Sequence, residues 1–429
     1  MNLLGKNVVV YGGGISGLSA YELAKEKGAR VMIYDDNDRP HTTSSSGVFA
    51  RADVIVLSPG IASGNPHVLD ARLEGKLVIG EIELASQFCQ GEQIAVTGTN
   101  GKTTTVKLID HILKSAHINS YAVGNIGVAF SSICDRLDAL DTAVVEVSSF
   151  QLESVKSFSP DIAVLLNIKP DHLERHETID RYISAKSNIF MHQCECDVVV
   201  YNADDENIAD LVPFMKAKKV PFSMSKPVDG AYLSSGFICY KGMPIVEAED
   251  VDAKGVELEN VLAAVAVTMS KGISRYTIAS ALCSFSRPQF RRTKIAELHG
   301  VKIYNDSKAT NIASTLSAIS AMNGDTVLLL GGAKRMEDFD ELFSVLDKRV
   351  VGIVVFGENR NEIALSADRY NIHVEVFDTI ENGVDRAFEL AKALCAENLL
   401  FSPASKSFDC FSSYEERGRY FDKLVKAFK

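Results

Sequence analysis

The segment Gly98-Thr99-Asn100-Gly101-Lys102-Thr103-Thr104 constrains this chain more than any other, because it directly follows the apolar run Ile94–Thr97 and opens a stretch of helical periodicity. A strand that turns through glycines into a helix aims successive backbone N–H groups, and the positive end of the helix dipole, at one point. That point suits a phosphate. Lys102 can then reach β and γ phosphates and the Thr103 hydroxyl can hold Mg²⁺, as in a P-loop with two residues rather than four between its glycines. An ordinary glycine turn is the plainer alternative, disfavoured because strand, Gly-Lys-Thr and helix agree. Val106, Ile109 and Leu113, with Leu108 and Ile112, give that helix one apolar face.

Elsewhere, short β-branched runs alternate with amphipathic segments, the pattern of parallel sheets covered by helices and hence of an α/β fold. Strands are expected at 7–11, 53–57, 94–97, 143–147, 162–167, 198–201, 326–330, 351–356 and 398–401. With 429 residues, the chain suggests about three domains at roughly 150 residues each. Two strand–glycine–helix beginnings and the Pro288-containing segment divide it into 1–91, 92–287 and 288–429.

Lys and Arg number 45 against 56 Asp and Glu, a net charge of −11, which disfavours a nucleic-acid binder while leaving room for a local phosphate pocket. No apolar stretch approaches the ~18 residues of a membrane span and no export signal is visible, so a cytoplasmic location is expected. The eight cysteines are irregularly spaced and read as reduced; His192, Cys194 and Cys196 lack a second pair at zinc-like spacing.

A second glycine turn, Gly12-Gly13-Gly14-Ile15-Ser16-Gly17, fits G-x-G-x-x-G after a strand, with Asp35 and Asp36 following the next strand where a ribose hydroxyl could bind. Alone it argues for NAD or FAD, yet the same geometry holds any nucleotide diphosphate or merely packs a helix closely. Glu146 and His172 fall at or just past strand ends that open on the same crevice as the Gly98 loop, where they could complete Mg²⁺ coordination. A cap or salt bridge for Glu146, and a structural role for His172, remain open. Asn305–Asn311 reads from its pattern as a helix N-cap. The Gly331–Arg335 turn and the Arg291-Arg292 pair suit an anion or solvent equally.

Taken in order, VTGTNGKTTT, GNIG (124–127), EVSSFQLE (146–153), DHLERH (171–176), YNDSKATN (304–311) and SPASKSFDCF (402–411) resemble the Mur ligases along essentially the whole chain. The resemblance implies three domains: a Rossmann-like unit for the uridine nucleotide of the substrate, a central P-loop ATPase unit and a Rossmann-like C-terminal unit for the incoming amino acid. It implies a monomeric, ATP-dependent ligase of peptidoglycan precursor synthesis. D-glutamate would be joined to UDP-N-acetylmuramoyl-L-alanine through an acyl phosphate, with no nucleic-acid partner.

Residue by residue, the resemblance implies ATP contacts from Gly98 to Thr104, Asn260, Arg291 and Asp306, and catalytic roles for Lys102, Glu146, His172, Lys186 and Lys308. Two Mg²⁺ sites would draw on Thr103, Glu146, His172 and a CO₂-derived carbamate on Lys186, which by its own sequence reads as an exposed helical lysine. Gly14, Ile15, Ser16, Asp35, Ser58, Gly60 and Asn125 would hold the UDP substrate, and Thr310, Arg335, Ser407 and Tyr414 the amino acid. Val256-Glu257 stands where the family has His-Asn, and Lys334 where it has an acid. The rival readings are another acceptor such as L-glutamate, an NAD-dependent oxidoreductase, and a non-catalytic nucleotide-binding regulator. Closure of the C-terminal unit about a hinge near Arg287 is also expected.

Overall fold

Parallel strands rich in Val, Ile and Leu bury both faces, and this sets the layering of the molecule. β1 (Asn7–Tyr11), β2 (Arg30–Tyr34), β3 (Val54–Leu57) and β4 (Leu77–Gly80) form a parallel sheet ordered β2-β1-β3-β4. β5 (Glu92–Thr97), β6 (Ser120–Gly124), β7 (Thr142–Glu146), β8 (Ile162–Leu165), β9 (Val198–Asn202) and β10 (Lys218–Ser223) make the parallel part of a second sheet. Its order is β10-β9-β8-β5-β7-β6. Beyond β10 come β11 (Ala231–Ser234), β12 (Phe237–Tyr240) and β13 (Met243–Glu247), the last two turning antiparallel. The computed structural model describes residues 1–36, 42–43, 46–251, 256–285, 290–334 and 339–428. It divides into two units, Met1–Phe285 and Ser286–Lys429.

Within the first unit the alternation of strand side chains builds two cores. Ile94, Val96, Val144 and Val164 face the helices Lys102–Ser115, Val256–Ser270 and Arg275–Ser284. Ala95, Val145 and Leu165 point the other way and share a core with Val8 and Val10 of the first sheet and Leu23 of the helix Ile15–Glu26. Val106, Ile109 and Leu113 are fully buried, as their spacing requires. At each fully buried Val, Leu or Ile side chain the stabilisation is about 1.5–3 kcal/mol. All nine expected strands are present, with ends within two residues of expectation.

The second unit has its own sheet, ordered β14-β15-β19-β16-β17-β18, from β14 (Thr293–Leu298), β15 (Val301–Asn305), β16 (Thr326–Gly332), β17 (Val350–Gly357), β18 (Glu375–Val376) and β19 (Asn398–Phe401). β14 and β15 form a hairpin whose two-residue turn, His299-Gly300, takes φ of 50° and 82°, the mirror-image turn that matches strand twist. The remaining pairs are parallel. No helix among the described residues is long and apolar enough to cross a membrane.

The two sheets of the first unit are tied by Glu83, from the helix Glu81–Ser86. Its buried carboxylate accepts from the backbone N–H groups of Lys156, Ser157 and Phe158 and from the Ser157 hydroxyl, at 2.6–3.2 Å. Burial alone raises a carboxyl group's pKa; the Ser157 hydroxyl and the backbone donors more than reverse this and hold Glu83 below the usual range. Glu83→Ala is expected to cost about 3 kcal/mol, since it strands buried donors. Because the folded pKa is lowered, this stabilisation is complete above the unfolded value of about 4.3 and lost as pH falls through the folded one. The gap in urea midpoint between wild type and Glu83→Gln should therefore narrow between pH 7 and pH 3.

Candidate active site

The register of the second sheet decides what meets at its carboxyl edge. Thr97 of β5 lies opposite Leu165 of β8, and Val96 lies opposite Glu146 of β7, so the loops after these strands share one crevice. Gly98 and Gly101 take φ of 158° and 88°, which L side chains avoid. A side chain at Gly101 would also overlap the Asn260 amide oxygen. The loop is held from β8: Thr99 N–H donates to the Asn167 carbonyl (2.9 Å) and Asn100 N–H to the Asn167 side-chain oxygen (2.8 Å). Lys102 folds back on the loop, its ammonium donating to the carbonyls of Gly98 (2.8 Å) and Thr99 (2.9 Å). Two buried polar atoms beside the loop, Thr104 Oγ1 and Asn260 Nδ2, have no hydrogen-bond partner among the described residues. Such orphans suit a site completed by a polar ligand.

Glu146 is 3% exposed, and one of its oxygens accepts from the Thr103 hydroxyl (2.7 Å) while the other accepts from the Asn125 amide (3.1 Å). Among the described residues it caps no helix and forms no salt bridge; its carboxylate faces the P-loop threonine. A hydroxyl and a carboxylate at this separation are hard oxygen donors of the kind Mg²⁺ takes. His172 sits in the left-handed region (φ 56°, ψ 31°) as the residue capping the helix Leu173–His176, with its ring edge-on to Phe150 at 4.7 Å.

Lys186 departs from its sequence reading as an exposed helical lysine. It is 1% exposed, because Tyr182, Ala185 and Lys186 form the inward face of the helix Ile179–Ser187. Its amine donates to the Gly98 carbonyl (2.9 Å) and lies over the Tyr182 ring. Burial, and secondarily the Lys102 ammonium, pulls this amine well below the usual lysine range.

In the first sheet, strand order reverses between β1 and β3, which places Gly12–Ser16 and Ser58–Ile61 at one crevice. A side chain at Gly17 would overlap the Gly12 carbonyl, so the Gly14-Ile15-Ser16 turn enters its helix at the closest possible approach. Ser58 Oγ donates to that same carbonyl (3.0 Å) and the buried Asp35 accepts from Gly13 N–H (2.6 Å), so both shape the turn. Asp36 is the exposed neighbour, its carboxylate held by the hydroxyls of Tyr11 and Tyr34.

In the second unit, Asp306 is fully buried and accepts from the Ser402 hydroxyl (2.7 Å) and Arg292 N–H (3.1 Å); burial lifts its pKa to about 6 against the opposing pull of Arg291 and Arg292. The N-cap read from Asn305–Asn311 is its last residue alone: Asn311 accepts from Ser314 N–H, leaving Asp306 outside the cap. Lys308 donates to the Tyr414 hydroxyl (3.2 Å), and the half-buried Thr310 and buried Ser407 lie on the loops after β15 and β19. Arg335 and Arg287 lie outside the described residues.

Four residues that pattern reasoning passed over help to build these sites: Asn167, Tyr182, Arg175 and Arg417. Tyr182 meets the Thr99 hydroxyl at 3.2 Å. Arg417, fully buried, donates to the Ser307 hydroxyl and carbonyl and to the Lys406 carbonyl, joining the Lys308 and Ser407 loops. None stands in a motif with an intrinsic chemical signature. The cysteines need one correction: Cys194 and Cys196, read as reduced, are joined by a disulfide.

A strand–P-loop–helix with an inward carboxylate on the neighbouring strand defines a nucleotide-binding fold equipped for phosphoryl transfer. Residues 96–268 match the Mur ligase middle domain, residues 290–402 the Mur ligase glutamate ligase domain, and residues 10–69 an NAD(P)-binding Rossmann-like domain. The chain belongs to the Mur ligase family. It is similar to the UDP-N-acetylmuramoylalanine--D-glutamate ligase of Alkaliphilus oremlandii, at 35% identity over 99% of each chain. The ligase of the same name from Geobacillus kaustophilus is 37% identical over 99% of this chain and 98% of its own. The fold is shared with the UDP-N-acetylmuramate-alanine ligase MurC of Thermotoga maritima, with a TM-score of 0.61 and 19% identity over 99% of this chain and 100% of that one. It is shared also with the MurF ligase of that organism, solved with ADP, at TM-score 0.61 and 19% identity over 100% and 96%.

Asn167→Ala removes the side-chain acceptor that fixes the loop at Asn100. With about 0.5–1.5 kcal/mol per lost hydrogen bond, ATP affinity measured by calorimetry should fall on the order of tenfold. Unchanged affinity would contradict the role given to Asn167.

Proposed function

We propose that this chain is an ATP-dependent ligase that adds D-glutamate to UDP-N-acetylmuramoyl-L-alanine in peptidoglycan precursor synthesis. The observation that carries the reading is full-length similarity, at 35–37% identity, to ligases of that name. The Gly98 loop facing Glu146 and Lys186 supports it chemically. ATP phosphorylates the substrate carboxylate, and the amine of D-glutamate attacks the acyl phosphate through a tetrahedral intermediate that expels phosphate.

A carboxylate approaching an anionic γ-phosphate must have its repulsion offset in a site poor in water. Mg²⁺, when bound, neutralises phosphate charge and polarises the transferred group. Thr103, Glu146 and His172 are its protein ligands in this reading, and the Thr103–Glu146 pair already brings a hydroxyl and a carboxylate together. Lys102 exchanges its loop carbonyls for phosphate oxygens. Thr99, Asn100, Thr104, Asn260, Arg291, Asp306 and Lys308 bind or orient the nucleotide. Gly14, Ile15, Ser16, Asp35, Ser58, Gly60 and Asn125 serve the UDP substrate, and Thr310, Arg335, Ser407 and Tyr414 the amino acid.

The domains in this reading are 1–91, 92–287 and 288–429, and the enzyme works as a cytoplasmic monomer. Lys186 is the proposed site of a carbamate. Carbamate formation needs a neutral amine to attack CO₂ with loss of a proton, and the burial of Lys186 favours that form. The product is an anionic group able to support a second Mg²⁺.

Phosphate release is expected to require ATP, UDP-N-acetylmuramoyl-L-alanine and D-glutamate together; release independent of either co-substrate would defeat the reading. Replacing D- with L-glutamate tests the acceptor, and loss of turnover is expected. Protein equilibrated with ¹³C-bicarbonate should show a carbamate carbonyl resonance that Lys186→Arg abolishes.

A further inference from the structure

Arg175 lies three residues beyond His172, on the short helix Leu173–His176 that follows β8, yet its guanidinium reaches the loop after β3 of the first sheet. One terminal nitrogen donates to the Pro59 carbonyl (2.9 Å); the other donates to the Ile61 carbonyl (3.0 Å) and to Glu153 (2.9 Å). The planar group also stacks over Phe150 at 4.1 Å, and its side chain is mostly buried. Glu153 in turn meets His176 at 3.3 Å, and the opposite ring nitrogen of His176 meets the Ser149 hydroxyl at 3.0 Å. The orientation of Arg175 is thus fixed from both sides.

The two carbonyls that it grips flank Gly60. In a trans peptide the C=O and N–H groups point in opposite directions, so fixing the Pro59 carbonyl on the guanidinium aims the Gly60 N–H away from it. Among the described residues, its chain neighbours aside, no atom stands within 4 Å of where a Gly60 side chain would begin, so the loop is open there. Ser58, in the same turn, bonds the Gly12 carbonyl of the glycine turn. One side chain therefore sets the Ser58–Ile61 loop and rides on the segment that begins with His172.

We infer that Arg175 is a positioning residue for the UDP substrate, holding the Ser58–Ile61 loop in its binding conformation and coupling it to the His172 segment. The inference rests on the ligase reading above. A lysine can keep the charge but cannot span two carbonyls and a carboxylate while stacking on a ring.

The test is steady-state kinetics on the full chain, with UDP-N-acetylmuramoyl-L-alanine and ATP varied separately. For Arg175→Met, KM for the UDP substrate is expected to rise at least tenfold, with kcat within threefold and KM for ATP within twofold of wild type. Arg175→Lys should fall between the two, and Glu153→Gln should shift the same KM in the same direction. A KM for the UDP substrate within twofold of wild type overturns the inference. So does a parallel rise in both KM values with a lowered melting temperature, which marks a merely structural role. If the Met variant does not fold, the Lys variant is judged instead, with a rise in KM for the UDP substrate of more than twofold expected and one within twofold overturning the inference. Wild-type protein that fails to turn over the UDP substrate would sink the ligase reading itself, so the two failures are distinguishable.

Discussion

Two lysines converge on one oxygen at the heart of the first unit. The Gly98 carbonyl accepts from both Lys102 and Lys186, at 2.8 and 2.9 Å. Burial, and secondarily the neighbouring Lys102 ammonium, pulls the Lys186 amine well below the usual lysine range. Lys102 stands at the mouth of the helix Lys102–Ser115, whose N–H groups add to its positive potential. Much of the rest of the site keeps this loop in place: Asn167 from the loop after β8, Asn260 against Gly101, and Tyr182 against Thr99.

The sheets supply the precision. Because β5, β7 and β8 are paired in parallel register, Glu146 and the loop bearing Asn167 and His172 end level with the Gly98 loop. The same logic is repeated in the first sheet, where Gly12 and Ser58 meet across the reversal of strand order. Glu83 and Arg175 then fasten one sheet's loops to the other's. Polar residues of this kind give a common core its directionality, since apolar packing alone is non-directional.

The sequence exposed what has a local signature. Parallel strands with both faces buried read as plain apolar runs, so β1, β5 and β19 could be found from composition. β13 could not, because this outermost strand is largely exposed and carries Pro244. In the site, the glycine–lysine–threonine loop announces itself, since only certain residue types tolerate its backbone. The burial of Lys186 was invisible because a helix face is decided by what packs on it; only the resemblance pointed there. Asn167, Arg175 and Arg417 act by reaching across long sequence distances to backbone carbonyls and amides, a relation that leaves no local pattern. Asp36, rather than Asp35, proved the exposed carboxylate of its pair, and adjacency alone could not tell which would turn inward.

The hairpins that close off the second sheet have a bearing on solution behaviour. Its outermost strand, β13, carries a proline opposite Cys239, where the register slips between Ile238 and Cys239. Proline offers no N–H, and an irregular ladder bends away from a straight neighbour. A newcomer strand seeking to zip onto this margin would find the row of donors interrupted midway, so the long parallel sheet is shielded on that flank from growing into a fibre-like stack.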